Sequence, residues 1–166
     1  MLQTEDAVPH KLDPRVIPFG RLVGRIVMAC VSLVLGVALL LTTPARAPFG
    51  VWLGEAAGWI IAMTVLFRWA HRWPWRSYRH ASYLLDDRGI EIRSGVYWRK
   101  VVAVPRSRVQ HIDVSQGPLQ RSYGLATLTI FTAGTAYSSV PLAGLSHETA
   151  LALRDALLPR RADDAV

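Results

Sequence analysis

The sequence predicts a two-helix transmembrane hairpin followed by a mainly-β domain closed by a C-terminal helix. Three observations lead there. Two apolar runs, residues 26–42 (IVMACVSLVLGVALLLT) and 51–67 (VWLGEAAGWIIAMTVLF), are separated only by the segment 43–50. Each is close to the roughly 20 residues that cross a bilayer core. From Tyr78 the pattern changes to short runs of alternating polarity, and one amphipathic stretch ends the chain.

Composition agrees. Of 166 residues, 51% are hydrophobic and only 19% charged, against about 25% charged in a soluble domain. Cys30 is the single cysteine, which excludes an internal disulfide framework and a cysteine-based zinc site. The first run fits a cleaved leader poorly, because some 25 polar or mixed residues precede it and a second apolar run follows almost at once.

In the connection 43–50, Pro44 and Pro48 break the helices. Lys11, Arg15, Arg21 and Arg25 precede the first run, Arg68, Arg72, Arg76 and Arg79 follow the second, and the connection holds only Arg46. Basic residues are retained on the cytoplasmic side, so both termini are expected inside and the short loop outside. The expected organisation is a cytoplasmic N-terminal segment 1–25, the hairpin 26–67, a basic and aromatic juxtamembrane linker 68–76, a β domain 77–158 and a flexible tail 159–166. The formal charge of +7 divides into +4 before residue 77 and +3 after it. The first share is explained by topology, and the second is too small to argue for nucleic acid.

In the β domain, SYLLDDRGIEI reads as two strands about a turn at Asp86-Asp87-Arg88-Gly89, with Gly95 ending the second. WRKVVAVP reads as a third strand stopped by Pro105, and VQHIDVS as a fourth. LATLTIFTAGTAYSSVPL reads as a hairpin turning at Ala133-Gly134. The closing helix starts at Ser146 as N-cap, buries Ala150, Leu151, Leu153, Leu157 and Leu158, and stops at Pro159.

Several residues invite a functional reading. His111, Asp113 and Ser115 have the side chains of a hydrolase triad, but on a strand they share one face and lie about 6.6 Å apart in sequence, about 13 Å from end to end. A triad requires hydrogen-bond contact, so no catalytic residue is expected here and the chain reads as no enzyme. The scattered histidines and the absence of phosphate-loop or dinucleotide motifs give no metal and no cofactor expectation. Glu55, the one ionisable residue in either run, is near enough to the outer end to reach the interface by snorkelling. Gly50, Gly54, Gly58 and Ala62 recur every four residues and form a candidate packing stripe, either within the hairpin or toward a partner helix or second copy. Ser32 and Gly36 make a shorter one. RWAHRWPWRSYRH places Arg68, Arg72, Trp73, Trp75 and Arg76 directly after a span, where they read as an interfacial anchor to lipid rather than a nucleic-acid site. In GPLQRSYG, Gly117 and Pro118 end a strand, Leu119 is expected to cap the core, Gly124 lets the chain re-enter a strand, and Gln116, Gln120 and Arg121 remain as exposed candidates for a partner contact.

The order of elements resembles the YdbS-like bacterial membrane proteins that carry a pleckstrin-homology (PH)-like domain. The residues that carry the resemblance are LDPRVIPFGRL before the first run and YLLDDRGIEIRSGVYWRKVVAVPRSRVQHIDVSQGPLQRSYGLATLTIFTAG after the second, with 104–132 the most specific part. The resemblance implies a bent β-sandwich or barrel with a C-terminal capping helix, held at the inner face of the cell membrane, with no enzymatic activity. It implies an adaptor, acting beside a membrane protein partner or as a homo-oligomer. The runner-up expectation is a tethered binder of anionic lipid headgroups. Asp86 and Asp87 stand at the first hairpin turn, where lipid-binding PH domains of the eukaryotic kind are basic, so that mode does not carry over. Arg99, Lys100, Arg106 and Arg108 could form a basic patch elsewhere. A membrane-embedded enzyme using Glu55 or His111 ranks last.

Overall fold

A computed structural model of the chain describes residues 9–44, 46–133 and 139–158. The expected turn at Gly134 and the tail 159–166 lie outside the described residues. The chain divides into two compact units, residues 17–76 and the β domain formed by the remainder.

The first unit is the helical pair, α1 (Val16–Thr42) and α2 (Phe49–Arg79). None of the apolar stretch of either helix is buried within the protein, as expected of side chains that lipid covers. Both helices run past the apolar segments. The segment 68–76, expected as a linker, is the last part of α2, and it stays helical through Pro74. Proline removes the hydrogen bond to the carbonyl four residues back, here that of Ala70, which lies 3.7 Å from where a Cβ on Gly24 would be. Pro74 is itself buried. A Cβ on Gly20 would come within 2.8 Å of its ring, so the helices touch where one side chain is missing and a rigid one fills the space.

The second unit holds two antiparallel sheets. The first has the order β1-β2-β3-β4, from β1 (His10–Lys11), β2 (Ser82–Asp86), β3 (Gly89–Ser94) and β4 (Lys100–Pro105). A single 3-10 turn, Arg106–Arg108, leads to the second sheet, β5 (Val109–Ser115), β6 (Leu125–Thr132) and β7 (Ser139–Ser146). A short helix, α3 (Pro118–Ser122), joins β5 to β6, and α4 (His147–Leu157) closes the unit. The core is the inward alternation of both sheets, Ile90, Ile92 and Val104 from the first and Leu128, Ile130, Val140 and Leu142 from the second, with Ala150, Leu153 and Leu157 of α4. That helical triplet has the 3-4 spacing of one helix face. Each fully buried leucine contributes about 1.5–3 kcal/mol. Ser146 caps α4, its Oγ accepting from the Thr149 amide at 3.1 Å. Leu158, expected in the apolar face, is 39% exposed, because it follows the last helical turn.

The residues before α1 also belong to this unit, which period-two patterning does not reveal. His10 and Lys11 pair with Tyr83 and Ser82, and Leu12 enters the core. The Asp13 amide donates to the Gly144 carbonyl at 2.9 Å. Gly144 has φ +84°, and a Cβ there would meet Val16 Cγ2 at 2.5 Å. It is the extra residue where the β6–β7 register shifts, a bulge that only glycine forms without strain. The third strand also starts later than expected, at Lys100, which leaves Trp98 and Arg99 in the loop.

Candidate functional site

Between β5 and β6 the most specific stretch of the sequence folds into a rigid turn. Gly117 stands before α3, and its amide donates to Gln120 Oε1 at 2.9 Å. Gln120 Nε2 donates to Thr127 Oγ1 at 3.1 Å, and Gln116 Nε2 donates to the Leu125 carbonyl at 2.7 Å. Both glutamines are half-buried. The expectation that they form an exposed contact surface is therefore corrected: their amides are spent holding α3 against β6. Leu119 reverses its expected role too. It does not cap the core but is 45% exposed, since the helical turn rotates it outward. Arg121 is exposed beside it. Gly124, with φ +66°, turns the chain into β6.

On β5, His111, Asp113 and Ser115 are exposed along one face, while Ile112 and Val114 pack inward. A register shift falls between Val109 and His111, but it does not gather the three. The His111 ring stacks on Phe131 of β6, centroids 4.1 Å apart, and Asp113 pairs across the ladder with Thr129. Among the described residues no three His, Cys, Asp or Glu side chains converge on a point that could hold a metal ion.

The four basic residues considered as a patch divide. Arg99 and Lys100 lie at the start of β4, and Arg106 and Arg108 follow its end, about 20 Å away along six residues of strand. They cannot grip one headgroup together. The Asp86-Asp87 turn is closed locally, Asp86 Oδ1 accepting from the Arg88 and Gly89 amides at 3.0 and 2.8 Å.

In the helical unit, Arg68, Arg72 and Arg76 share a ridge of α2 at four-residue spacing and are exposed, as is Trp75. Trp73 is half-buried, its ring 5.1 Å from that of Trp69. Gly50, Gly54, Gly58 and Ala62 are also exposed, and a Cβ on any of the three glycines would meet nothing within 4 Å. The stripe thus takes no part in packing α2 on α1. That seam uses Gly20, Gly24 and Gly36 of α1 against Pro74, Ala70 and Trp59. Glu55 reaches back to the start of the connection 43–50. It is half-buried on the seam side and accepts a hydrogen bond from Oγ1 of Thr43, itself 7% exposed. The pattern of small residues shows a helix face but not which face the partner helix occupies.

Comparison with known proteins agrees with this architecture. The chain is 39% identical over 118 residues to the UPF0699 transmembrane protein YdbS of Bacillus subtilis (strain 168), a match that takes in 70% of this chain and 66% of that protein. About a third of the relative's length thus lies outside the match. No solved structure matches. The family model described as "Bacterial PH domain" matches residues 22–161, so strands β2 to β7, the capping helix and most of the helical pair fall within it. With a transmembrane relative and two unburied apolar helices beside a seven-strand, two-sheet module, the chain is a membrane protein that belongs to the bacterial PH domain family.

Proposed function

We propose that this protein is a non-enzymatic adaptor of the cell membrane, whose hairpin spans the bilayer with both termini cytoplasmic and whose PH-like module docks a membrane protein partner. The observation that carries the proposal is the turn at 116–124. Two glutamines donate two side-chain hydrogen bonds and accept a third, which hold it rigid, and it holds a leucine and an arginine out to solvent. Arginine is enriched at the centres of protein interfaces, and the exposed Leu119 adds apolar surface beside it. Arg121 stays a contact residue, Leu119 joins it, and Gln116 and Gln120 frame them.

The wide spread of His111, Asp113 and Ser115 along β5 supports the non-enzymatic part. The basic residues flanking both helices support the orientation. Crosslinking in native membranes tests docking: Leu119→Ala with Arg121→Ala should abolish a discrete crosslinked species that wild type forms. An unchanged crosslink pattern would overturn the assignment. Reporter fusions test topology, and an external C-terminus would refute it.

A further inference from the structure

The loop 95–99 between β3 and β4 carries chemistry that the turn at 116–124 does not use. Trp98 is 90% exposed and Tyr97 is 70% exposed. Val101, 60% exposed, stands beside them on the outer face of the sheet. Arg99 and Lys100 flank the rings and are exposed. Exposed Trp is costly in water, and a Trp-Tyr pair beside two cations is the composition found where a bilayer meets water. The loop is a built turn. Gly95 has φ +110°, and a Cβ there would clash with the Trp98 carbonyl, so only glycine lets the chain fold back this closely.

Topology places this tip at a particular end of the sheet. The chain arrives from α2 at Ser82, which pairs with Arg93, and it leaves for α1 after Lys11, which pairs with Ser82. The loop closes over the Ser94–Lys100 pair at that same end, two strands or about 10 Å from Ser82. Both connections to the helices and the aromatic tip therefore share one end of the sheet. The acidic Asp86-Asp87 turn is at the other end, about 17 Å away along β2. At the tip end Arg93 pairs with Glu91, 2.6 Å away, and Arg99 and Lys100 add two exposed basic side chains. An exposed loop that is both cationic and aromatic suits a planar anionic surface.

We infer that the 95–99 loop is a second membrane contact, in which Tyr97 and Trp98 enter the headgroup layer of an anionic leaflet while Arg99 and Lys100 meet lipid phosphates. This rests on the hairpin crossing the same bilayer. The contact fixes the orientation of the module, so that one face is turned to the cytoplasm.

The test uses the full chain in vesicles of phosphatidylcholine with or without phosphatidylglycerol, in a Cys30→Ser background. An environment-sensitive fluorophore is attached in turn at Tyr97→Cys, at Asp87→Cys and, in the hairpin, at Ile61→Cys. Lipids brominated near the glycerol read positions 97 and 87, and lipids brominated near the acyl-chain ends read position 61, which lies near the middle of the span; the label at 97 should be quenched in phosphatidylglycerol vesicles and the label at 87 should stay bright. Arg99→Gln with Lys100→Gln should lower the inserted-to-free ratio about 30-fold, about fivefold for each basic residue. A label at 97 that lipid bromine does not quench, beside a quenched label at 61, would overturn the loop contact while the hairpin stands. Shielding of position 97 from aqueous iodide without lipid quenching would overturn it in favour of a protein contact. An unquenched label at 61 would remove the spanning hairpin and this inference with it.

Discussion

Replacing Gln116 by alanine tests whether this side chain frames the turn or faces a partner. The wild-type amide donates to the Leu125 carbonyl at 2.7 Å, and Leu125 is 1% exposed. Truncation leaves a buried acceptor short of its donor, at a cost of about 1–3 kcal/mol. Gln120→Ala removes two bonds, at 2.9 and 3.1 Å, but to half-buried groups that water can reach, so about 1–2 kcal/mol is expected. The two act on one turn, and the double variant should lose less than the sum. Hydrogen exchange of the full chain in detergent reads this directly. A loss of 2 kcal/mol speeds exchange by about 30-fold for amides that open with the unit, which here means those of β5 and β6, while α1 and α2 stay unchanged. Unaltered exchange in β5 and β6 together with loss of crosslinking would refute the framing role and return Gln116 to the contact surface.

Other substitutions probe the joints of each unit. Gly144→Ala combines a positive φ, about 1–2 kcal/mol, with the close approach to Val16; adding Val16→Ala should recover only part of the loss in a thermal melt, and full recovery would show that the backbone carries no strain. Gly20→Val should drive a side chain into the Pro74 ring and lower the denaturant midpoint of the helical unit, whereas Gly54→Val, facing open space, should not; equal effects would refute the assigned seam. Burial pushes the Tyr83 hydroxyl above its ordinary value of 10.0. The unfolded chain then ionises first, so the stability Tyr83 contributes is complete below about pH 10 and falls as pH rises beyond it. The difference in alkaline slope between wild type and Tyr83→Phe checks this, and parallel curves would refute it.

Much of the molecule is local and was legible in one dimension. Two long apolar runs, a period-two segment and a capped 3-4 helix report their own environments, because lipid, sheet face and core each select residue type at a fixed period. The helix ends were less legible, since α2 carries polar residues and a proline through to Arg79 without breaking. The orientation of the two glutamines in the turn was not legible either. Polarity places a glutamine outside on average, and only the neighbouring Leu125 carbonyl and Thr127 hydroxyl decide that Gln116 and Gln120 turn inward.

The sequence by itself therefore determined the hairpin, the β-rich module, the capping helix and the failure of His111, Asp113 and Ser115 to converge, all of which follow from spacing along one element. Tertiary structure alone decided which face of α2 meets α1, that Leu12 joins a core begun some seventy residues later, that Glu55 turns to Thr43, and that Tyr97 and Trp98 share one end of the sheet with both helix connections. These depend on residues distant in sequence being brought together, and no local period encodes which partners will meet.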